Sequence, residues 1–349
     1  MGPVMSGAPD VILEGGYLPV SADLIESQLN EIWSQGSQDD DSKRLVKICL
    51  ANVLIVTDAA ARLSAENLAQ QIATRHPSRV FLIIVDETLS TYCAFVRTAC
   101  DFNAELDALV CWEIIEILSD EPRSSFIGGA VRSLLVDSVP VLTIDFRAYQ
   151  FTPECDADLR AISDYYLVQA EVVSVAAESD RLVPLSWYRT LDLREMIGVA
   201  YSAVLASSSD STLVRIVIYF DNAHARLDPF LAGWLVHRLA DGGKFEQFGG
   251  EVRFTRREQQ VSLTWAPAAA PDKVLEIEFA DQSKLTIMAN RSRHGGYCDS
   301  RALVDGRLVA SQTGVTGLAE YVLAATNGGG NDFREYAAVQ RVMTMLRIP

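Results

Sequence analysis

The stretch Pro184–Ser202, PLSWYRTLDLREMIGVAYS, lies near the middle of the chain and separates two halves of different character. Apolar residues recur through it at three- and four-residue spacing, which predicts a helix with one buried face. These residues are Leu193, Met196, Ile197, Ala200, Tyr201, Val204 and Leu205. Asp192 followed by Glu195 resembles a capping box at the start of this helix. We therefore expect a central helix that opens the second half of the chain.

Arg194 breaks the pattern of this helix. A cation in the first turn opposes the helix dipole by about 0.3–1 kcal/mol. The favoured interpretation is a surface arginine that is neutralised by Glu195. The alternative is that Arg194 faces something outside the helix, and that Arg189 and the aromatic pair Trp187-Tyr188 face the same way.

The composition limits the classes of function that the chain can have. Its 349 residues are 49% apolar, which is enough for two domains with real cores. It has 30 Lys and Arg against 46 Asp and Glu, a formal net charge of −16, and no basic stripe, so we expect no nucleic-acid partner. No apolar run approaches the roughly 18 residues of a membrane span. The N-terminal stretch lacks a signal peptide, so we expect a cytoplasmic protein without membrane attachment.

The cysteines and histidines suggest neither a metal site nor a cofactor site. The six cysteines show no CxxC pair and no metal-ligand spacing, and the chain has four histidines. Acidic neighbours should raise the pKa of Cys155 and lower its reactivity. Four cysteines lie in apolar segments and are predicted to be buried: Cys49, Cys93, Cys100 and Cys111. We therefore predict no structural disulfide and little response to redox conditions.

The first half is predicted to consist of an N-terminal tail with a short helix, residues 1–41, followed by an α/β domain, residues 42–183. Lys47–Thr57 is a nearly continuous apolar run that predicts a strand covered on both faces. A helix over Ser64–Arg75 and a strand over Arg79–Val85 follow, a spacing typical of a parallel β-α-β unit. Further predicted elements are the helix Ser21–Trp33, an antiparallel insertion of strands Tyr92–Cys100 and Ala108–Leu118, the helix Ser124–Val136, the strand Pro140–Phe146, the helix Asp158–Ile162 and the strand Tyr165–Ala170.

A β-α-β start raises the possibility of a nucleotide site, but the turn after the first strand argues against one. That turn, Asp58–Arg62, contains no glycine, and phosphate-binding loops need glycine there for close backbone approach. Neither a dinucleotide fingerprint nor a Walker loop is present. Asp58 and Asp86 end predicted strands, and we expect them to cap loops.

The second half, residues 184–349, is predicted to be an α+β domain. After the strand Thr212–Phe220, Asp228-Pro229 should open a helix with an aspartate cap and proline at its first position. Arg238 falls inside the apolar stripe of that helix. It either extends to solvent from the last turn or is a desolvated arginine paired with an acid or a partner group. An antiparallel meander is predicted from Glu251–Arg256, Gln260–Thr264, Lys273–Ala280, Lys284–Asn290 and Ala302–Ala310, with closing helices Val315–Ala325 and Phe333–Leu346.

Several segments together resemble the OpcA family, the assembly or activator proteins of glucose-6-phosphate dehydrogenase. The strongest are LSWYR at 185–189 with Arg194-Glu195, and LAGWL at 231–235 with Arg238-Leu239. Weaker matches are IESQLNEIW at 25–33, LANVLIV at 50–56, HPSRV at 76–80 and LLVDSVPV at 134–141. The family's tryptophan pair after the equivalent of Pro140 is replaced by Val141–Asp145, and Leu193 stands where the family favours tryptophan. The chain thus resembles a divergent member.

The resemblance implies a non-catalytic protein that binds glucose-6-phosphate dehydrogenase and promotes its assembly or activity. It makes five residues candidates for partner binding: Trp187, Tyr188, Arg189, Arg194 and Arg238. No nucleophile–base pair or esterase elbow contradicts this. The alternative is a sugar-phosphate sensor or an enzyme with an unfamiliar active site. Its anion site would use His76, Arg79, Arg189 and Arg194, because arginine forks suit phosphate.

Overall fold

The computed structural model of the chain divides into two compact units. Unit 1 comprises residues 1–170 and 181–183, and unit 2 comprises residues 171–180 and 184–349. The structure describes residues 11–13, 22–36, 44–86, 88, 93–103, 108–119, 127–147, 153–168, 182–207, 212–220, 229–240, 244–248, 251–267, 272–291, 297–312 and 335–343. Each unit contains a mixed sheet with helices, which confirms the predicted fold class.

Unit 1 is built on a sheet in the order β1-β5-β6-β4-β3-β7-β8-β9, with β2 paired to β6. Its elements are β1 (Val11–Leu13), α1 (Ala22–Gly36), β2 (Arg44–Lys47), β3 (Asn52–Asp58), α2 (Arg62–Arg75), β4 (Arg79–Val85), β5 (Cys93–Asn103), β6 (Ala108–Ser119), α3 (Ile127–Leu134), β7 (Val141–Asp145), α4 (Pro153–Ile162), β8 (Tyr165–Val168) and β9 (Leu182–Pro184).

The predicted β-α-β unit is confirmed. β3 and β4 pair in parallel and are joined by α2, and β7 pairs in parallel on the other side of β3. The first six residues of β3 and of β4 are buried, as expected for central parallel strands covered on both faces. The predicted antiparallel pair of strands is also present as the β5–β6 hairpin. β6 in addition pairs in parallel with β4, so the hairpin continues the main sheet.

The apolar run Lys47–Thr57 is not one strand, as predicted, but belongs to two. β2 ends at Lys47 and pairs with β6, whereas β3 begins at Asn52 and pairs with β4 and β7. Between them the Leu50 amide donates to the carbonyl of Pro77, and the Asn52 side chain bonds both ways to the backbone of Val136. An apolar run reports burial, but it does not report where a strand changes its neighbour.

The prediction of no structural disulfide is wrong, because Cys111 on β6 is disulfide-bonded. The antiparallel register places Cys100 on β5 directly opposite it, and facing residues in such a pair have Cα separations that a disulfide can span. The prediction was wrong because it used only the residues next to each cysteine in the sequence. Which cysteines face each other depends on the register of two strands, which the neighbouring residues do not give. Cys49 is a half-buried free thiol whose pKa is raised by burial. The side chains of Cys93 and Cys155 lie outside the described residues.

Unit 2 is built on a second sheet, in the order β11-β12-β13-β10-β14-β15-β16-β17. Its elements are α5 (Leu185–Arg189), α6 (Leu191–Ser207), β10 (Leu213–Phe220), α7 (Pro229–Leu239), β11 (Phe245–Phe248), β12 (Glu251–Arg256), β13 (Gln259–Pro267), β14 (Lys273–Phe279), β15 (Lys284–Arg291), β16 (Tyr297–Val304), β17 (Arg307–Gln312) and a helix over 335–343, named α8. The predicted central helix is α6, which packs on β15, β16 and β17.

The sheet of unit 2 differs from a simple meander at two places. β10 lies between β13 and β14 and is parallel to β13. The segment Ala302–Ala310, predicted as one strand, is a hairpin of β16 and β17 that turns at Asp305-Gly306, both with positive φ. Glycine favours such a turn because it adopts positive φ without steric cost. The predicted helix Val315–Ala325 lies outside the described residues. None of the helices in the described ranges is long and apolar enough to cross a membrane.

Candidate functional site

A pocket of about 540 Å³ lies within unit 2, between α6, α7, the start of α8 and the sheet. One face of α6, the last two turns of α7 and two strands supply its walls. Its charged lining residues are three arginines and two glutamates: Arg194, Arg238, Arg256, Glu195 and Glu335. The remaining lining is largely apolar and includes Leu191, Ile197, Gly198, Tyr201, Ser202, Trp234, Leu235, Leu239 and Ile277.

Trp187 and Tyr188 form part of the core beside this pocket. Both side chains are fully buried, and the indole of Trp187 makes edge-to-face contacts with Tyr336 at 5.6 Å and with Phe230 at 6.3 Å between ring centroids. Such geometry suits the quadrupoles of aromatic rings. Trp187, a candidate for partner binding from the sequence, is therefore a packing residue of unit 2. Neither aromatic side chain is positioned to contact a partner directly.

Arg194 is buried, so the favoured interpretation of a surface arginine is wrong. Its side chain is 4% exposed and its guanidinium lies 3.5 Å from the centroid of the Trp187 ring. Nη2 donates to the carbonyl oxygen of Trp187 at 3.2 Å, and Nη1 lies 3.9 Å from Oε2 of Glu335. Glu195 is exposed instead. Arg194 lies in the first turn of α6, which begins at Leu191, and its guanidinium packs on the Trp187 ring. This cation–π contact stabilises the buried positive charge.

Glu335, the first described residue of α8, contacts residues of both segments with the strongest family resemblance, residues 185–195 and 231–239. Its Oε1 accepts hydrogen bonds from Trp234 Nε1 at 3.0 Å and from Arg238 Nε at 2.5 Å, and its Oε2 faces Arg194. The side chain of Arg238 is 57% exposed. Both interpretations of Arg238 thus hold in part, because it reaches solvent and is also paired with an acid. The sequence analysis missed Glu335, since nothing local marks one acid in a helix as the partner of residues about 100 positions away.

Arg256, the last residue of β12, was also missed. Side chains alternate along β12, which places Arg256 on the same face as the buried Val252 and Phe254. An arginine at an inward-facing position of this strand could therefore have been recognised from the sequence as a candidate site residue. Its guanidinium lies 4.9 Å from the ring centroid of Tyr201 on α6. Its Nη1 is buried and has no hydrogen-bond partner within the described residues. Burial raises the pKa of Tyr201, while Arg256 and Arg257 act in the opposite direction.

Two glycines near the pocket differ in what surrounds them. A Cβ on Gly233 of α7 would lie 2.6 Å from Met343 Cγ and 3.1 Å from Val339 Cγ1, both on α8. The glycine of the LAGWL segment therefore permits α7 and α8 to approach closely, which places Trp234 and Arg238 at Glu335. A Cβ on Gly198 of α6 would meet no atom within 4 Å.

The polar residues singled out in unit 1 are engaged with other groups of that unit. Arg79 is buried and donates to Glu113 at 2.6 Å, to the Leu134 carbonyl at 2.5 Å and to Glu26 at 3.3 Å. His76 Nδ1 lies 3.0 Å from the Ser78 hydroxyl, and burial lowers the pKa of this histidine.

The two strand-end aspartates of unit 1 cap loops, as predicted. Asp58 Oδ1 accepts a hydrogen bond from the Ala61 amide at 2.8 Å, and Asp86 Oδ1 accepts one from the Thr88 amide at 2.9 Å. Ligands of open α/β sheets often bind where strand order reverses, which here is between β3 and β7. At that point Asp145 accepts hydrogen bonds from Arg147 and Tyr166. The polar groups at this edge of the sheet thus bond one another.

The candidate residues therefore separate into a buried group and an accessible group. Trp187, Tyr188 and Arg194 are buried, Arg238 is exposed, and the side chain of Arg189 lies outside the described residues. Within the described ranges no group of three or more His, Cys, Asp or Glu could hold a metal ion. A scan against family models and a search of curated proteins both found no match to this chain.

Proposed function

We propose that the chain is a non-catalytic cytoplasmic protein that binds glucose-6-phosphate dehydrogenase and promotes its assembly or its activity. The observation that carries this proposal is the convergence of the two segments with the strongest resemblance. Trp187 from the first segment packs against Phe230 beside the second, and Arg194 and Arg238 both face Glu335. Residues that match a family motif and also form one cluster support a shared architecture better than matches scattered over the fold.

Within this cluster Arg238 is the residue most available to a partner. Its guanidinium is exposed, whereas the other candidates with described side chains are buried. A protein without catalytic groups changes an enzyme's behaviour when it binds one state of that enzyme better than another. A coupling of about 1–3 kcal/mol would change substrate affinity roughly 5- to 150-fold. Promotion of assembly would instead increase the active oligomer at low enzyme concentration.

The test is to titrate the protein into the glucose-6-phosphate dehydrogenase of the same organism at two enzyme concentrations. A shift in substrate affinity at both concentrations would indicate allosteric activation, and rescue only in dilute enzyme would indicate assembly. Arg238→Gln should weaken the complex. Arg253→Gln is the matched control, because Arg253 is also an exposed, ion-paired arginine of unit 2. No rate change and no complex on a sizing column would refute the proposal.

The alternative of a sugar-phosphate sensor or enzyme using His76, Arg79, Arg189 and Arg194 has less support. Arg79 already has three acceptors inside unit 1, and Arg194 is stacked on Trp187 inside unit 2. A phosphate at Arg79 would have to displace Glu113 from a buried ion pair. We therefore do not place an anion site on this set of residues.

A further inference from the structure

We propose that the pocket of unit 2 binds a small organic anion, a molecule with one anionic group on an apolar body. This inference does not rest on the dehydrogenase, because it concerns unit 2 alone. The pocket's volume of about 540 Å³ falls within the roughly 300–1,000 Å³ of small-molecule sites. A concave site of that size suits a free small molecule better than the broad surface of a protein partner.

The charges of the lining favour an anion. Three arginines face two glutamates, so the described lining carries one net positive charge in a chain whose formal charge is −16. Glu335 is already occupied by Arg238 and Trp234. Glu195 is exposed at the rim. Arg194 is stacked on Trp187 and Arg238 is paired with Glu335, so the positive charge that a ligand oxygen would meet is that of Arg256.

Arg256 supplies the specific hydrogen-bond donor. Its Nη1 is buried without a hydrogen-bond partner among the described residues, although its guanidinium packs on the Tyr201 ring. A buried donor of a charged group is costly to leave unmatched. A carboxylate, phosphate or sulfonate oxygen would provide the missing acceptor and form a charge-assisted hydrogen bond.

The rest of the lining selects the body of the ligand. Trp234, Leu235 and Ile277 present apolar surface to the pocket. A molecule with several charged groups would have to place some of them against this apolar surface, where they lose their hydration without gaining a partner, and this is unfavourable. The geometry therefore favours one anionic group next to Arg256 and an apolar or aromatic body over the remaining lining.

The test uses two fluorescent probes with the same aromatic body. 8-Anilinonaphthalene-1-sulfonate carries one anionic group, and N-phenyl-1-naphthylamine is its neutral counterpart. Titration of the full chain should give saturable binding of the sulfonate, at least about tenfold tighter than the neutral probe, as expected for a hydrogen bond to a charged group. Equal affinity for the two probes, or no saturable binding of the sulfonate, would overturn the proposal.

Two variants with matched controls locate the binding. Arg256→Met should weaken sulfonate binding about tenfold or more, while Arg253→Met, on the opposite face of the same strand, should bind like the parent protein. Gly198→Phe should fill the pocket and block the probe. Gly129→Phe is its control, since Gly129 is a helical glycine of unit 1 with equally open surroundings. If Arg256→Met fails to fold, the decision rests on Gly198→Phe. Undiminished binding in a folded Arg256→Met or Gly198→Phe variant refutes the site.

Discussion

The two units use arginine in opposite ways. In unit 1 the buried Arg79 is matched by Glu113, Glu26 and a backbone carbonyl, so its donors serve the fold. In unit 2 Arg238 reaches solvent while it pairs with Glu335, and Arg256 lines a pocket with a buried Nη1 that has no hydrogen-bond partner among the described residues. A buried charge with matched acceptors stabilises the fold, whereas the donor of Arg256 is the one that we propose to serve a ligand. This difference can be tested by removing the arginines one at a time.

The largest effect is expected for Arg79→Met. This change leaves the buried carboxylate of Glu113 without Arg79, and breaking a buried ion pair costs about 3–5 kcal/mol in the free energy of unfolding. The measurement is urea-induced unfolding. The double variant Arg79→Met/Glu113→Leu should recover part of the loss, since it removes both buried charges. A loss under about 1 kcal/mol in the single variant would contradict the structural role of Arg79.

Arg194→Met is expected to lower the free energy of unfolding by less, about 1–3 kcal/mol, because it removes the stacking on Trp187 and the hydrogen bond to the Trp187 carbonyl. Glu335 keeps its bonds to Arg238 and Trp234, so this carboxylate stays paired. The comparison is Trp187→Ala, which empties a fully buried site and should cost about 3–5 kcal/mol. Equal losses in the two variants would show that Arg194 is as important for folding as Trp187.

Arg238→Met should change stability by at most about 1 kcal/mol, because an exposed ion pair contributes little to folding. The same variant should lower the salt dependence of stability, since salt screens this pair. Thermal unfolding at low and high ionic strength measures both quantities. A loss comparable to that of Arg79→Met would remove the distinction between the two units.

The smallest expected effect concerns pH and His76. Burial lowers the pKa of His76 in the folded state, so the unfolded chain takes up the proton first as the pH falls. Stability from this residue is therefore complete above about pH 6.5 and is lost progressively below it. His76→Gln should unfold with a weaker pH dependence between about pH 7 and 5 than the parent protein.

His237 in unit 2 is the counterpart of His76. Burial lowers its pKa, Arg238 and Arg341 act in the same direction, and Glu335 acts against them. His237→Gln should therefore also weaken the pH dependence of stability between about pH 7 and 5. An unchanged pH dependence in His237→Gln would contradict a lowered pKa of His237 in the folded state.

The local pattern of apolar residues was sufficient to predict the bounds of several helices and strands. The helix α2, the strand β4 and the strand β10 lie within one or two residues of their predicted bounds. The capping of a loop by Asp58 could likewise be predicted from the sequence, because the amide that it binds, that of Ala61, is only three residues away. These features follow from residues that are neighbours in the chain.

The arrangement of the candidate site depended on contacts that are distant in sequence. Arg194 was predicted to be exposed because Glu195 stands beside it, yet α5 and α6 turn its guanidinium onto Trp187. Glu335 meets Trp234 from 101 residues away, and Gly233 permits that approach through its missing side chain. Facing strands likewise placed Cys100 opposite Cys111. The sequence by itself determined which segments are helical, extended or buried, because periodicity reports burial. Only the tertiary structure decided which charges meet, because pairing depends on the register and packing of segments that are far apart in the chain.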